Sequence, residues 1–384
     1  MGPRVVVIGG GVTGLSTAYH LARAGVRDVL LLEREQLASG STGRSAGGIR
    51  LQFSDAVNIT LAKRSVAVFE RFSEEFGAEC DFRQYGYLLL ATTEDEERLF
   101  RANVALQRSL DVPVEVLSPE EAGRMVPGLR TDDLRLATFC PKDGYADPYS
   151  VAMAFAAAAR RLGVRILEGH TVTGIEVRGG RVTGVQVADG QTLQAIPADV
   201  VVNAAGPWAA QIGQMVGLEL PITPYRRQVF VTDPFDALPQ RLPMVIDFGP
   251  HFYFRREGPG ILLGMTDLSE PPSFNTHVDW AFLEQVVERV LHRIPPLARA
   301  SVRRGWAGLY DTTPDNNPIL GRVPGLEGFV MAAGFSGHGF MLSPAIGECL
   351  AELITAGRCR TVDLSPLAID RFLSGTLRRE ASVI

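Results

Sequence analysis

Cysteine and histidine are scarce in this sequence and are not spaced as metal ligands. The 384-residue chain has four cysteines, Cys80, Cys140, Cys349 and Cys359, and none is part of a Cys-x-x-Cys pair. Its six histidines show no His-x-x-x-His spacing. We therefore expect no metal site and no disulfide framework, and we interpret the cysteines as buried or incidental thiols.

Blocks of one charge and membrane-length apolar runs are missing as well. The chain has 38 basic and 43 acidic residues but no Lys/Arg block, which argues against nucleic acid or an anionic membrane as a partner. The longest apolar run, residues 151–159, is shorter than a transmembrane helix, and the first predicted strand stands where a signal peptide would lie. These absences predict a cytoplasmic protein without a transmembrane segment, and the length predicts two domains.

A glycine fingerprint follows the first predicted strand, residues 4–8. Gly9 allows a tight turn, Gly11 lets the backbone approach a pyrophosphate, and Gly14 lets the next helix lie close to the sheet. That helix would direct its positive N-terminal end at the phosphates. The second predicted strand ends on Glu33, which is placed to accept hydrogen bonds from a ribose. This order of strand, glycines, helix, strand and terminal acid predicts a dinucleotide site. The alternative is a chance glycine-rich turn.

A segment of small and hydroxylated residues, 38–50, follows the second predicted strand. Its glycines let the backbone wrap closely around a ligand, and its hydroxyl and N–H groups supply hydrogen-bond donors. A surface linker would have a similar composition. The position of the segment at the carboxyl edge of the predicted sheet favours the ligand-binding interpretation.

Only one dinucleotide fingerprint is present, so the nucleotide is either NAD itself or FAD that a small substrate reduces directly, and further glycine-rich segments favour FAD. Two further glycine-rich segments, 203–206 and 334–340, follow apolar predicted strands, and the second runs into a predicted helix, 344–355. Together with residues 38–50 they offer more backbone contact than NAD needs, and they fit a longer ligand. An enzyme that passes electrons from NAD(P)H to a flavin would usually need two fingerprints.

These motifs together resemble the D-amino-acid oxidase superfamily of flavoproteins. The likeness rests on the fingerprint and on four further runs, Ser39-Gly40-Ser41-Thr42, Asn203-Ala204-Ala205-Gly206-Pro207-Trp208, Thr313-Pro314-Asp315 and Gly334-Phe335-Ser336-Gly337-His338-Gly339-Phe340. Within the superfamily, the chain is most similar to sarcosine oxidases (monomeric and β subunit), glycine oxidase and the β subunit of archaeal-type proline dehydrogenase. The resemblance covers essentially the whole chain.

The resemblance implies an α/β fold with a Rossmann-like FAD-binding domain of the glutathione-reductase type. The FAD-binding domain would be discontinuous and comprise residues 1–80, 146–222 and 300–384. A substrate domain of α+β type, with a mixed sheet that covers the flavin ring, would comprise residues 81–145 and 223–299.

The cofactor implied by the resemblance is non-covalent FAD. Its implied contacts lie along the glycine-rich segments and the strands beside them: Gly9, Gly11, Val12, Thr13, Gly14, Glu33, Arg34, Ser41, Thr42, Arg44, Ser45, Ala46, Gly47, Val172, Ala204, Ala205, Gly206, Trp208, Gly308, Gly334, Gly337, His338, Gly339, Phe340 and Met341. The helix after Met341 would direct its N-terminal dipole at the flavin.

Four side chains match residues that handle substrate in the resembled enzymes. Arg50 matches the arginine that holds the substrate carboxylate in sarcosine oxidases, and its alternative interpretation is an ordinary surface arginine. Tyr253 and Tyr310 match pocket tyrosines of those enzymes. His338 would lie beside the flavin, either as a catalytic base or as a residue that orients the backbone.

Three positions depart from the sarcosine oxidases. Gly308 stands where those enzymes carry the cysteine that attaches FAD, so we expect FAD to be bound non-covalently. Leu262 replaces a lysine near flavin N5 that assists oxygen reduction, which leaves the reactivity with oxygen open. Met341 replaces a second lysine that helps to bind the carboxylate. The pocket is therefore expected to be less cationic and to suit a substrate bulkier or less acidic than sarcosine.

The implied reaction is oxidation of the C–N bond of a small secondary or N-methyl amino acid, such as sarcosine or proline, to an imine by hydride transfer to flavin N5. Oxygen would accept the electrons in a self-sufficient oxidase. Alternatively, the chain would be the flavoprotein subunit of a dehydrogenase complex that passes electrons to a partner. Homo- and hetero-oligomers are both compatible with the sequence, whereas a non-catalytic flavin-fold module is disfavoured by the intact fingerprint.

Overall fold

The computed structural model describes residues 2–190 and 192–383. The strands are β1 (Arg4–Ile8), β2 (Asp28–Leu32), β3 (Gly48–Ile49), β4 (Tyr87–Ala91), β5 (Glu115–Leu117), β6 (Leu136–Cys140), β7 (Gly144–Tyr145), β8 (Arg165–Leu167), β9 (Thr171–Arg178), β10 (Arg181–Ala188), β11 (Leu193–Pro197), β12 (Val200–Asn203), β13 (Thr223–Thr232), β14 (Met244–Asp247), β15 (Phe252–Glu257), β16 (Gly260–Met265), β17 (Val302–Thr312), β18 (Ile319–Val323) and β19 (Leu326–Ala333). The α-helices are α1 (Val12–Arg23), α2 (Ala56–Phe69), α3 (Phe72–Phe76), α4 (Glu94–Ser109), α5 (Pro119–Met125), α6 (Pro148–Arg161), α7 (Ala209–Gln214), α8 (Phe282–Arg293), α9 (Gly339–Ala356) and α10 (Asp370–Ser374).

The first sheet has a parallel centre in the order β19-β12-β1-β2-β8. On the β19 side, β18 pairs antiparallel with β19, whereas β10 pairs with β19 in parallel and has β9 and β11 as antiparallel partners. Strand β1 is apolar along its length because both of its faces are buried. Val5 and Val7 pack in the core that includes α1, α6 and α9, whereas Val6 and Ile8 face the core beneath the β9–β10 hairpin. The predicted α/β class with a Rossmann-like sheet is confirmed.

The second sheet is mixed, in the order β17-β13-β16-β15-β14-β4-β6-β5, with β4 and β14 parallel and the other pairs antiparallel. Side chains alternate between its two faces. One face carries Phe230, Phe252 and Phe254, which pack in one core with Phe282 and Val286 of α8. The other face lines a cavity that lies between this sheet and the first sheet.

The membership of strand β17 differs from the predicted domain boundaries. Residues 302–312 pair with β13 along its length and so extend the second sheet, although the prediction assigned residues 300–384 to the FAD-binding domain. The rest of the division follows the two sheets but stays a prediction. Residues 56–76 form two helices, α2 and α3, with a break after Phe69.

Helix α9 begins five residues earlier than the predicted start at Pro344. The proline leaves the carbonyl of Phe340 without a backbone donor, and the hydroxyl of Ser343 donates to that carbonyl instead at 2.9 Å. By length and composition alone, α9 could cross a membrane. The prediction considered only uninterrupted apolar runs, and α9 is not one of them. In this fold, most of the helix is buried in the core.

Candidate active site

One cavity separates the two sheets, and its first end is formed by backbone. Gly9 leaves β1 with a φ of +114°, and a Cβ atom there would lie 2.3 Å from the carbonyl oxygen of Ala204. A Cβ atom at Gly11 would lie 3.2 Å from Oγ1 of Thr42, which accepts a hydrogen bond from the N–H of Val12 at 3.0 Å. We call this wall of the cavity, with residues 38–46, the glycine end.

Glu33 lies at the glycine end, where the sequence predicts a ribose contact. Its Oε2 accepts a hydrogen bond from the N–H of Gly10 at 2.7 Å, and its Oε1 accepts one from the N–H of Glu35 at 2.8 Å. These two bonds fix the carboxylate at the cavity wall. Each oxygen keeps a lone pair for a ligand hydroxyl.

Residues 38–46 are tied to the second sheet and do not form a surface linker. The hydroxyl of Ser41 donates to the carbonyl of Leu309 at 2.7 Å, and Nη1 of Arg44 donates to the carbonyl of Ala307 at 3.0 Å. The indole of Trp306 donates to the carbonyl of Arg44 at 2.9 Å. The linker interpretation is therefore wrong, since β17 holds this segment against the cavity.

Most of the predicted cofactor contacts line this cavity, but Gly14, Gly47 and Gly334 do not. A Cβ atom at Gly14 would meet the carbonyl oxygen of Gly9 at 2.0 Å, so this glycine allows close packing of helix on strand. Gly47 and Gly334 have φ values of +72° and +79° and shape turns behind the wall. The three glycines support the cavity from outside.

Helix α9 starts at the opposite end of the cavity. Its first turn, with Gly339, Phe340 and Met341, borders the cavity, and His338 at its N-cap position gives it no side-chain cap. The helix has 18 residues and, with its first N–H groups uncapped, presents a partial positive charge there. Gly337 has a φ of +94°, and a Cβ atom there would lie 2.4 Å from the ring of Tyr310.

Arg50 and His338 form one buried hydrogen-bonded unit at this second end. Nη1 of Arg50 donates to the carbonyl of Gln52 at 2.5 Å, and Nη2 donates to Nε2 of His338 at 2.8 Å and to the carbonyl of Ser382. Because arginine can only donate, Nε2 of His338 accepts and the imidazole is neutral, with its proton on Nδ1. Burial and the charge of Arg50 lower the pKa of His338 well below its usual value. This geometry favours an orienting role for His338 over that of a base.

Tyr253 and Tyr310 both line the cavity, as predicted, and a third phenol joins them. Tyr87 of β4 projects from the same face of the second sheet and lies close to Gly48, where a Cβ atom would be 1.8 Å from its hydroxyl oxygen. Burial raises the pKa of all three phenols. At neutral pH they are therefore uncharged hydrogen-bond donors. We call the wall formed by these three tyrosines, Arg50, Arg227 and His338 the phenol end.

Arg227 of β13 is a further cavity residue that sequence reasoning missed. It stands opposite Gly308 of β17, and its guanidinium lies 5.3 Å from the centre of the Tyr310 ring. Met244 and Ile246 of β14 add apolar surface beside it. The run Tyr225-Arg226-Arg227 enters an apolar strand, and strand alternation would have placed Arg227 on one face with Tyr225. Strand alternation shows which face of β13 carries Arg227, but it does not show that this face borders a cavity.

The departures from the sarcosine oxidases have different locations. Gly308 and Met341 line the cavity, whereas Leu262 is fully buried beside Val229 and Val231 and is not part of the lining. None of the four cysteines, all of which the structure describes, borders the cavity. Arg255, another basic residue opposite Leu262 on β15, donates to the carbonyl of Ala46 at 2.7 Å and is not part of the lining.

Comparison with known sequences identifies matching relatives along the whole chain. The sequence model of the family described as FAD dependent oxidoreductase (DAO) matches residues 4–353. FAD-dependent oxidoreductase domain-containing protein 1 of Bos taurus is 33% identical over 99% of this chain and 87% of its own length. Mitochondrial sarcosine dehydrogenase of Mus musculus is 32% identical over 92% of this chain, which spans only 40% of that relative.

Comparison with solved structures gives the same result for the fold. L-proline dehydrogenase from P. horikoshii superposes with a TM-score of 0.91 at 38% identity, covering 98% of this chain and 99% of that one. The similarity therefore includes both sheets and the cavity between them.

Proposed function

Since the chain belongs to the DAO family of FAD-dependent oxidoreductases, we propose that it oxidises the C–N bond of a small secondary or N-methyl amino acid, such as sarcosine or proline, to an imine. The family membership makes it an FAD-dependent enzyme that acts on amino acids or amines. The size and substitution of the substrate are our proposal. The names of two similar proteins, a sarcosine dehydrogenase and an L-proline dehydrogenase, support it.

The residues of the cavity fit FAD. Gly9 and Gly11 leave a cradle that a Cβ atom would fill, and the start of α1 lies beside it without a side-chain cap. Glu33 and the segment 38–46 would hold the adenosine and pyrophosphate, and the first turn of α9 would face the anionic edge of the flavin. Bound FAD supplies the two-electron acceptor for the hydride that leaves the substrate carbon.

The continuity of the cavity is the observation that carries this proposal. One space runs from the glycine end to the phenol end, so a substrate bound between the tyrosines lies next to the group held by α9. Neutral Tyr253 and Tyr310 can donate hydrogen bonds to a carboxylate without adding negative charge. Arg50 and Arg227 surround the bound amine with positive charge, which lowers its pKa and favours the unprotonated form that hydride loss requires.

An anaerobic substrate screen tests the proposal. Sarcosine, N,N-dimethylglycine, L-proline and glycine would be mixed with the purified holoenzyme, and bleaching of the flavin absorbance would be followed. We expect the secondary and N-methyl amino acids to bleach the flavin faster than glycine. Bleaching by none of these compounds would refute the proposed substrate class.

A second candidate function is that of a flavoprotein subunit that passes electrons to a partner. It is favoured by the similarity to L-proline dehydrogenase and by Leu262, which stands where the sarcosine oxidases carry the lysine that assists oxygen reduction. We therefore expect the isolated chain to reduce an artificial dye faster than it produces hydrogen peroxide from oxygen. Equal or faster peroxide formation would favour the self-sufficient oxidase.

A further inference from the structure

The phenol end contains two guanidinium groups, and they differ in which of their N–H groups are free. We propose that Arg227, and not Arg50, binds the carboxylate of the amino-acid substrate. This inference rests on the proposed function, because it assumes that the substrate carries a carboxylate. It replaces the role that the resemblance implied for Arg50.

Arg50 has no free pair of N–H groups for a carboxylate. A guanidinium can grip a carboxylate with two parallel bonds either through Nε and Nη2 or through Nη1 and Nη2, so both arrangements use Nη2. Nη2 of Arg50 already donates to His338 and to the carbonyl of Ser382. A bidentate carboxylate at Arg50 would have to displace one of these two acceptors, either the imidazole of His338 or the carbonyl of Ser382.

Arg227 has the opposite pattern. Its Nη1 donates to the carbonyl of Arg226 at 2.8 Å, while its Nε is buried and has no hydrogen-bond partner in the described part of the chain. Neither a hydrogen bond from Nη2 nor an ion pair with an acid is found for Arg227 among these residues. Nη2 is therefore free to donate to an anion in the cavity, and the buried Nε beside it is an unmet donor that a bidentate anion would satisfy.

The electrostatic surroundings of Arg227 favour the same ligand. Burial lowers the pKa of this guanidinium. Glu270, one of the two carboxylates whose charge acts on Arg227, already forms an ion pair with Arg226 at 2.7 Å. A buried cation without a counter-ion is costly, and a substrate carboxylate would supply the missing charge. Arg227 thus provides the cation that the replacement of a lysine by Met341 removes from the pocket.

The position of Arg227 would orient the rest of the substrate. Arg227 lies opposite Gly308 in the β13–β17 pair, and its guanidinium covers the ring of Tyr310. A carboxylate held there would meet the phenols of Tyr310 and Tyr253, which lie on the same face. The carbon chain or N-alkyl group would then extend toward Met244 and Ile246. An α-amino acid with a compact apolar substituent therefore fits the phenol end.

Binding of two matched ligands to the holoenzyme tests this assignment without catalysis. Cyclopentanecarboxylate and cyclopentanecarboxamide have the same shape, differ in charge and lack an oxidisable amine. Their dissociation constants would be measured from the perturbation of the bound flavin's absorption spectrum. We expect the wild type to prefer the carboxylate at least about tenfold, and Arg227→Gln to bring this preference close to one. Arg227→Lys should retain an intermediate preference, because an ammonium cannot form the bidentate contact.

Arg304→Gln is the matched control, since Arg304 lies on the neighbouring strand β17, pairs with Glu257 at the surface and does not line the cavity. Its carboxylate preference should equal that of the wild type. A preference retained in both Arg227 variants, or absent from the wild type, would overturn the inference. If Arg227→Gln does not retain flavin, the carboxylate preference of Arg227→Lys alone decides: a reduced preference supports the inference, and an unchanged one overturns it.

The binding test also separates this inference from the proposed function. An enzyme that binds the carboxylate through Arg227, but whose flavin no amino acid bleaches, would refute the function and leave the anion site standing. Flavin bleaching by sarcosine or L-proline, together with an unchanged preference in the Arg227 variants, would refute the anion site alone.

Discussion

The two ends of the cavity are built from different parts of the polypeptide. The glycine end presents mainly backbone from three segments near the start of the sequence, within residues 8–13, 32–35 and 38–46, joined by residues 204–206. The phenol end presents side chains from strands β4, β13, β15 and β17, which are far apart in the sequence. A backbone surface tolerates few substitutions because any Cβ atom fills it, whereas a side-chain surface can be altered one group at a time.

The sharpest test of this difference adds a methyl group to the glycine end. Gly9→Ala should abolish FAD binding, with a loss of more than about 100-fold, because its Cβ would lie 2.3 Å from the carbonyl oxygen of Ala204. The flavin content of the purified protein measures this. Gly25→Ala is the matched control, since Gly25 also has a positive φ, +93°, but open space around it. It should lose only about 1–2 kcal/mol of stability and keep its flavin. Equal flavin loss in both variants would show that backbone strain alone is responsible.

The second test uses a buried acid behind the phenol end. Asp143 accepts hydrogen bonds from the N–H of Leu51 and from Nε2 of Gln52, and burial raises its pKa to about 7. Because this value exceeds that of the unfolded chain, the stabilising contribution of the neutral acid is complete below about pH 4 and is lost as the pH rises through 7. The free energy of unfolding of the wild type should therefore fall across this range by about 2–4 kcal/mol more than that of Asp143→Asn. If the free energy of unfolding changed with pH in the same way for both proteins, Asp143 would not be the group that ionises in this range.

The third test returns to the glycine end and removes one of its few side-chain contacts. Glu33→Ala should weaken FAD binding by about 1.5–3 kcal/mol, the value of a hydrogen bond to a charged group, without changing the order of preferred substrates. Glu33→Gln, which keeps a neutral acceptor, should lose less. Dilution and dialysis followed by measurement of retained FAD would check this. Full retention by Glu33→Ala would remove Glu33 from the cofactor site.

The same difference explains which parts of the site were predictable. The glycine end follows from the sequence because its residues are neighbours and because glycine spacing reports directly on backbone geometry. Arg227 and Tyr87 were missed because their roles depend on how β4, β13 and β17 are ordered in a sheet, and no local pattern encodes that order. Arg50 lines the cavity, but its predicted role in binding a carboxylate was made without knowledge of its contact with Ser382, because that contact joins residues 332 positions apart. The predicted start of α9 was five residues too late because Pro344 was taken as the beginning of the helix. The hydroxyl of Ser343 replaces the backbone donor that the proline lacks, so the helix continues through it.

The contact between Arg50 and Ser382 also has a consequence for the order in which the protein assembles during synthesis. Every strand described in the two sheets ends at or before residue 333, so all of them precede Ser382 in the chain. The acceptor for Nη2 of Arg50 emerges from the ribosome only after α9 and α10. Until then, a buried positive charge near the middle of the molecule lacks one of its ligands. The phenol end is therefore closed by a segment that is made only after the described strands and helices.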